Sequence, residues 1–263
     1  MIYWNVSPDI FSIGPVTIRW YGLLFALSFV IGYQIMTVIY KKENRPEDEL
    51  NDLIWYMILG TVIGARLGHC LFYNPVYYLS HPLEILQIWK GGLASHGAAI
   101  GILISIYFFV KKKKDISFLW IMDRIVITVA LSGFFIRMGN LFNSEIIGKP
   151  THANWGFIFV SVDEVPRHPT QLYESIAYLL IFIFLYSYYL KRSGKLKQGF
   201  IFGMFLILVF AFRFFVEFLK ENQSYFEAKM VLNMGQLLSI PFVLIGFYLV
   251  FRKDKKVIKI QQS

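Results

Sequence analysis

The sequence predicts an all-α integral membrane protein with seven transmembrane helices, the amino terminus outside, the carboxyl terminus cytoplasmic, and a small extracytoplasmic head segment. Three observations carry that expectation. Of the 263 residues 56% are hydrophobic and 18% aromatic, with a mean hydropathy of +0.53, above the apolar share of about 45–50% usual in soluble domains. Seven apolar stretches, near 18–40, 53–72, 95–110, 117–136, 172–190, 199–219 and 235–251, are long enough at about 1.5 Å per residue to cross roughly 30 Å of hydrocarbon. The connections alternate in charge. Lys41, Lys42 and Arg45, then Lys111 to Lys114, then Lys191, Arg192, Lys195 and Lys197, and finally Arg252, Lys253, Lys255, Lys256 and Lys259 place more than half of the 26 basic residues on one side. Positive charge in short loops marks the cytoplasm.

The other connections fall outside. Residues 1–17 are apolar and aromatic, broken by Pro8, Gly14 and Pro15, and are expected to lie along the interface. No Lys or Arg precedes Arg19, and the first long apolar stretch lacks a small-residue cleavage site, so that span is expected to stay in the protein. Residues 73–93, with Pro75, Pro82, Trp89 and Tyr73, Tyr77 and Tyr78, read as a short interfacial helix between turns, its aromatics at headgroup depth. Residues 137–171 form an extracytoplasmic insertion between spans four and five, and 157–162 within it reads as a small strand ahead of Pro166 and Pro169. With no tandem repeat, low-complexity segment or linker, residues 1–263 are expected to be a single polytopic membrane domain.

Several function classes are excluded. The formal charge of +9 is distributed between apolar spans rather than gathered on a face, which argues against nucleic acid. The single cysteine, Cys70, leaves no internal disulfide framework and no CxxC site, and packs in an apolar run as a small hydrophobe. No GxSxG elbow, HExxH pair or carboxylate-rich metal motif occurs, so neither metal nor cofactor is expected.

The informative residues are the polar ones inside apolar spans, where a mid-span charge costs on the order of 2.5–3.5 kcal/mol on insertion scales. Arg66 lies about 13 residues, roughly 20 Å, into an outward-running span, and Arg213 is similarly placed in span six. Tyr21, His96, Gln171 with Glu174, and Gln236 begin inward-running spans, and Arg137 ends span four. All seven spans thus bring a polar group to one depth in the outer half. Asp123 and Arg124 are exceptions near the inner end of span four, where they can pair or snorkel. Each residue has a plain reading too. Arg213 and Glu217 form a helical i,i+4 ion pair, His96 caps a helix, Tyr21 belongs to an aromatic belt, and Arg66 holds helices together through backbone carbonyls. The run after Arg137 is a helix ending at a glycine, Gly139 and Gly148 permitting a non-helical path between them. What the plain readings leave out is the shared depth, which fits a site for an anionic lipid headgroup with a base nearby. Arg137 and Arg213 suit a phosphate ester whose leaving oxygen gains charge, and His96 suits proton removal from an incoming nucleophile. Asn140, Asn143 and Glu145 supply donors and acceptors beside Arg137. An anion-binding or transport protein is the alternative, but it needs charge along a continuous path, whereas the inner halves of spans two, three, six and seven are almost purely apolar. A retinal protein is excluded by the lack of lysine in 235–251.

The run Arg137-Met-Gly-Asn-Leu-Phe-Asn-Ser-Glu-Ile-Ile-Gly148 resembles the signature of the prolipoprotein diacylglyceryl transferases, Gly-Arg-x-Gly-Asn-Phe-aliphatic-Asn-x-Glu-x-x-Gly. It departs in having Ile136 for the leading glycine and in the order Leu141-Phe142. Arg19-Trp-Tyr-Gly22, Gly64-Ala-Arg-Leu-Gly68, Gly91-Gly through Ser95-His-Gly97, Arg167-His-Pro-Thr-Gln-Leu-Tyr-Glu174 and Arg213 to Glu217 follow in the family's order. The resemblance implies transfer of the diacylglyceryl group of phosphatidylglycerol to the lipobox cysteine thiol of a bacterial prolipoprotein at the inner membrane, releasing glycerol phosphate before signal peptidase acts. On that reading Arg137 and Arg213 hold the phosphate and His96 is the base. Tyr21, Asn140, Asn143, Glu145, Gly148 and Glu217 position lipid or orient the arginines, joined by Arg66 and Glu174.

Overall fold

Long apolar runs become helices, one of them across Pro241, in the computed structural model, which describes residues 1–14, 16–113, 115–192, 195–222, 227 and 230–253. The strands are β1 (Ile2–Trp4), β2 (Asp9–Ile13), β3 (Val16–Arg19), β4 (Phe157–Phe159) and β5 (Pro166–Arg167). The helices are α1 (Trp20–Lys42), α2 (Glu47–Phe72), α3 (Pro75–Ser80), α4 (Pro82–Ile85), α5 (Ser95–Lys112), α6 (Phe118–Phe142), α7 (Thr170–Arg192), α8 (Phe200–Val216) and α9 (Met234–Phe251). A 3₁₀ turn, Glu217–Leu219, prolongs α8. Of the basic residues used to orient the chain, Lys114, Lys255, Lys256 and Lys259 lie outside the described residues.

Among the described residues six helices, not seven, are long and apolar enough to cross a membrane by length and composition: α1, α2, α6, α7, α8 with its 3₁₀ turn, and α9. The expected third span is α5. Its 18 residues begin with Ser95 and His96 and end with Lys111 and Lys112, so its apolar stretch is confined to 97–110. The protein is multi-pass and predominantly helical.

The chain divides into two compact units, residues 37–121 and residues 1–36 with 122–263. In the first, α2 and α5 cross through glycines. A Cβ on Gly64 would lie 2.4 Å from the carbonyl oxygen of Gly97, and one on Gly101 would lie 2.1 Å from that of Gly60. Only small residues allow backbones this close, the usual device where apolar burial cannot drive helix association. At the basic end of this unit Arg45 donates to Glu49 and Asp115, both at 2.5 Å, and its guanidinium lies over the Trp120 ring, 5.5 Å from the centroid. The segment expected to be an interfacial helix is two short helices, α3 and α4, each started by a proline, followed by a 3₁₀ turn at Ile88–Lys90.

In the second unit β1 pairs parallel with β4 and β4 antiparallel with β5. Phe157 and Phe159 of β4 pack with Leu141, and Trp4, Met138, Ile147 and Leu172 close over them. The small strand expected over 157–162 is thus present but ends at Phe159. Residues 1–17 were expected only to lie along the interface; they form β1 and the antiparallel hairpin β2–β3, which turns at Gly14 with φ +57°. At the far end of α6, Asp123 is buried and accepts the amides of Gly199 at 2.6 Å and Phe202 at 2.8 Å. Its carboxylate caps the amino terminus of α8, with Arg124 3.9 Å away. The expected pairing is there, and Asp123 serves the start of the next helix.

Candidate active site

The site builds from helix ends gathered at one end of the second unit. α6 runs on to Phe142, so Arg137, Gly139 and Asn140 are helical, in place of the non-helical path expected from Gly139 onward. Nothing in Met138–Phe142 breaks a helix, and Gly139 instead makes room: a Cβ there would lie 2.7 Å from Cδ2 of Tyr21, at the start of α1. The chain leaves the helix only at Asn143, through Ser144 and Ile146 at φ +54° and +55°. It is then held by Gln171, whose amide donates to the Glu145 carbonyl at 2.5 Å, and by Thr170, whose hydroxyl donates to that of Ile146 at 2.9 Å. Gly148 has no positive φ. A Cβ there would lie 2.5 Å from the His168 carbonyl oxygen and 2.9 Å from that of Leu219, so this glycine admits a close backbone crossing. Lys149 N–H donates to the Leu219 carbonyl at 2.7 Å and Glu221 N–H to that of Ile147 at 3.2 Å, fixing the residue between them, Lys220.

A ladder of alternating charge runs across these helix ends. Arg137 Nε meets Glu174 Oε2 at 3.1 Å, and its Nη1 donates to Asn140 Oδ1 at 3.2 Å. Lys220 Nζ meets the same Glu174 oxygen at 3.0 Å and Glu217 Oε1 at 3.1 Å. Arg213 Nε lies 3.6 Å from that Glu217 oxygen. The Tyr178 hydroxyl donates to Glu174 Oε1 at 3.2 Å, and Asn233 Nδ2 donates to Glu217 Oε2 at 3.1 Å. Glu217 packs on Gly235, where a Cβ would come within 2.6 Å of its carboxyl carbon. Asn233 also caps α9, in a capping box with Gln236, whose side chain reaches the Phe214 carbonyl at 3.3 Å. Glu145 lies beside the ladder, accepting from Asn140 Nδ2 and Asn143 Nδ2, both at 3.2 Å.

Burial grades along the ladder. The Glu174 side chain is fully enclosed and Lys220 is 3% exposed, whereas Arg137 is 14% and Arg213 37% exposed. Neutralised charge therefore lies inside, with the two guanidiniums outermost. Arg213 makes no hydrogen bond to any described residue, so its terminal nitrogens can take an anion.

Of the expected site residues, Tyr21, Arg137, Asn140, Asn143, Glu145, Gly148, Glu174, Arg213 and Glu217 all belong to this unit and to these helix ends. Arg66 and His96 belong to the other. There Arg66 is buried and donates to the carbonyls of Glu84, Ile85, Gly91 and Gly92 at 2.5, 2.9, 2.6 and 3.3 Å, which is the backbone-holding alternative. It thereby pins the segment leading into α5. His96, in the first turn of α5, is exposed and makes no side-chain cap. Its ring rests edge-on to Phe72 at 5.5 Å and beside Tyr73 at 5.8 Å. Lys220, Tyr178 and Asn233 were missed. Lys220 could have been read from its spacing, three residues past Glu217 and seven past Arg213, whereas Tyr178 and Asn233 carry no such signal.

The family model described as prolipoprotein diacylglyceryl transferase matches residues 8–252 of this chain. A phosphatidylglycerol--prolipoprotein diacylglyceryl transferase of Chloroherpeton thalassium is 52% identical over 255 residues, covering 97% of this chain and 95% of the relative. Proteins of the same name from Tolumonas auensis and Bacteroides fragilis are 50% and 46% identical, again over 97% of this chain and over 99% and 96% of theirs. The chain belongs to the prolipoprotein diacylglyceryl transferase family.

Proposed function

We propose that this transferase moves the diacylglyceryl group of phosphatidylglycerol to the lipobox cysteine thiol of prolipoproteins, the first step of bacterial lipoprotein maturation. The relatives' names give the donor and the acceptor class; the observation that carries the chemistry is the pair of outermost guanidiniums, Arg137 paired with Glu174 and Arg213 beside Glu217. A guanidinium with a carboxylate on its Nε side can turn a terminal nitrogen to phosphate oxygens. In the reaction the thiol sulfur bonds to the glyceryl carbon bearing the phosphate ester. That carbon–oxygen bond breaks, glycerol phosphate leaves with the electron pair, and a proton leaves the thiol. Arg137 and Arg213 stabilise charge on the departing phosphate, and His96 takes the thiol proton. Tyr21, Asn140, Asn143, Glu145 and Gly148 shape the lipid side, with Glu174 and Glu217 behind them, and Arg66 is a further substrate-binding residue on this reading.

We read the chain as one polytopic domain of the bacterial inner membrane, crossing seven times with α5 as the third span. The amino terminus is outside, the carboxyl terminus is cytoplasmic, and 137–171 is the extracytoplasmic insertion. The positive connections support this orientation. Anion transport is less well supported: α6 carries no charged side chain from Ile125 to Ile136, roughly 18 Å of helix at 1.5 Å per residue. The test is to incubate the purified protein in detergent with phosphatidylglycerol and a lipobox peptide, and to weigh the peptide by mass spectrometry. A diacylglyceryl adduct on its cysteine is expected; none from a folded preparation refutes the reading.

A further inference from the structure

We infer that Lys220 is a positioning residue that sets the spacing of the two phosphate-binding arginines, an inference that rests on the transferase reading above. Its ammonium is the only cation among the described residues that meets both ladder carboxylates, Glu174 at 3.0 Å and Glu217 at 3.1 Å. On each it takes the oxygen that an arginine Nε also meets, Arg137 on Glu174 and Arg213 on Glu217. The two guanidiniums stand on different helices, α6 and α8, and no described contact joins them directly. Their separation is therefore set through Glu174, Lys220 and Glu217 in series. Lys220 is itself fixed from behind, because the amides on either side of Gly148 and Lys220 pair backbone to backbone. An enclosed lysine between two enclosed carboxylates can be merely a counter-charge. Sharing of single oxygens is what makes it a strut: moving Nζ moves both carboxylates, and each carboxylate carries an arginine.

The experiment measures donor-lipid kcat and KM in detergent, with the acceptor peptide saturating, for the natural chain, Lys220→Arg, Lys220→Met and Lys220→Met with Glu174→Gln. A thermal melt follows each. Lys220→Arg can span the same two carboxylates and is expected to stay within about threefold of the natural kcat/KM, whereas Lys220→Met should lose more than about tenfold. The double variant also removes the Glu174 carboxylate that Lys220 shares with Arg137, so a lysine that only neutralised Glu174 would no longer be needed, whereas a strut would still be missing and kcat/KM should stay low. Lys220→Met with natural kcat/KM overturns the inference. So does a double variant that regains both stability and kcat/KM, since Lys220 would then only neutralise charge. If the natural chain itself transfers nothing, the transferase reading fails instead, and the two failures are distinct.

Discussion

Arg137→Lys keeps the charge and removes the geometry. The guanidinium meets Glu174 through Nε at 3.1 Å and Asn140 through Nη1 at 3.2 Å, two directions fixed by one plane. An ammonium at the end of a flexible stem cannot hold both and also present a parallel pair of donors to phosphate. One charge-assisted hydrogen bond is worth about 1.5–3 kcal/mol, and at about 1.4 kcal/mol per decade this is roughly a 10- to 100-fold fall in kcat/KM. If that bond strengthens as the leaving phosphate gains charge, the loss falls on kcat more than on KM. Arg137→Ala is less informative, because it strips a partner from the enclosed Glu174, and breaking such a pair costs about 3–5 kcal/mol of stability. The assay is transfer from phosphatidylglycerol to a labelled lipobox peptide, with Arg213→Lys beside it. Arg213 sits 3.6 Å from its carboxylate and is 37% exposed, so its replacement should leave the melting temperature unchanged while lowering turnover. An Arg137→Lys enzyme with natural kcat/KM refutes the geometric argument.

Gly139→Ala places a methyl 2.7 Å from the Tyr21 ring; overpacking costs about 1–3 kcal/mol, and Tyr21 should shift with loss of turnover, checked by donor-lipid KM and a melt. His96→Ala should lower turnover most near neutral pH and less as the pH nears the thiol's value of about 8.5; a ratio to the natural enzyme that does not change with pH contradicts the base assignment. Gly101→Val collides with the Gly60 carbonyl and should part α2 from α5, seen as lost thermal stability. In the head, hydrogen bonds from Arg167, at 2.5 Å through Nη2, hold the Asp163 carboxyl below its usual value. Its contribution to stability is therefore present above about pH 4 and lost as the pH falls through the lowered folded value. The protection factor of the Thr151 amide, which bonds the Pro166 carbonyl, should fall on acidification, and Asp163→Asn should remove part of that acid-side dependence.

Six of the seven expected spans were legible as long apolar helices because about twenty apolar residues in a row admit few structures; α5, expected as the third, falls short because His96 and Lys111–Lys112 consume its ends. The Arg137–Gly148 run was legible as a cluster of polar side chains but not as backbone. Its first glycine lies inside a helix, serving the neighbouring Tyr21, and its last serves a crossing strand. Strand β1 was not legible because three residues carry no periodicity and Ile2 finds its partner at Phe157, far along the chain. For Lys220 the spacing from Arg213 and Glu217 was the one signal in the sequence, and the backbone pairing with 147–149 is what turns it inward. The purpose of Gly60, Gly64, Gly97 and Gly101 shows only in the closeness of α2 and α5.

Asn233 begins the last helix and grips Glu217 with the same side chain. Its carbonyl oxygen is committed to the Gln236 amide and its nitrogen to the carboxylate, so the first turn of α9 cannot fray without freeing one arm of the ladder. The start of α9 is thus tied to the carboxylate beside Arg213, so whatever tilts that helix shifts Glu217 from a distance.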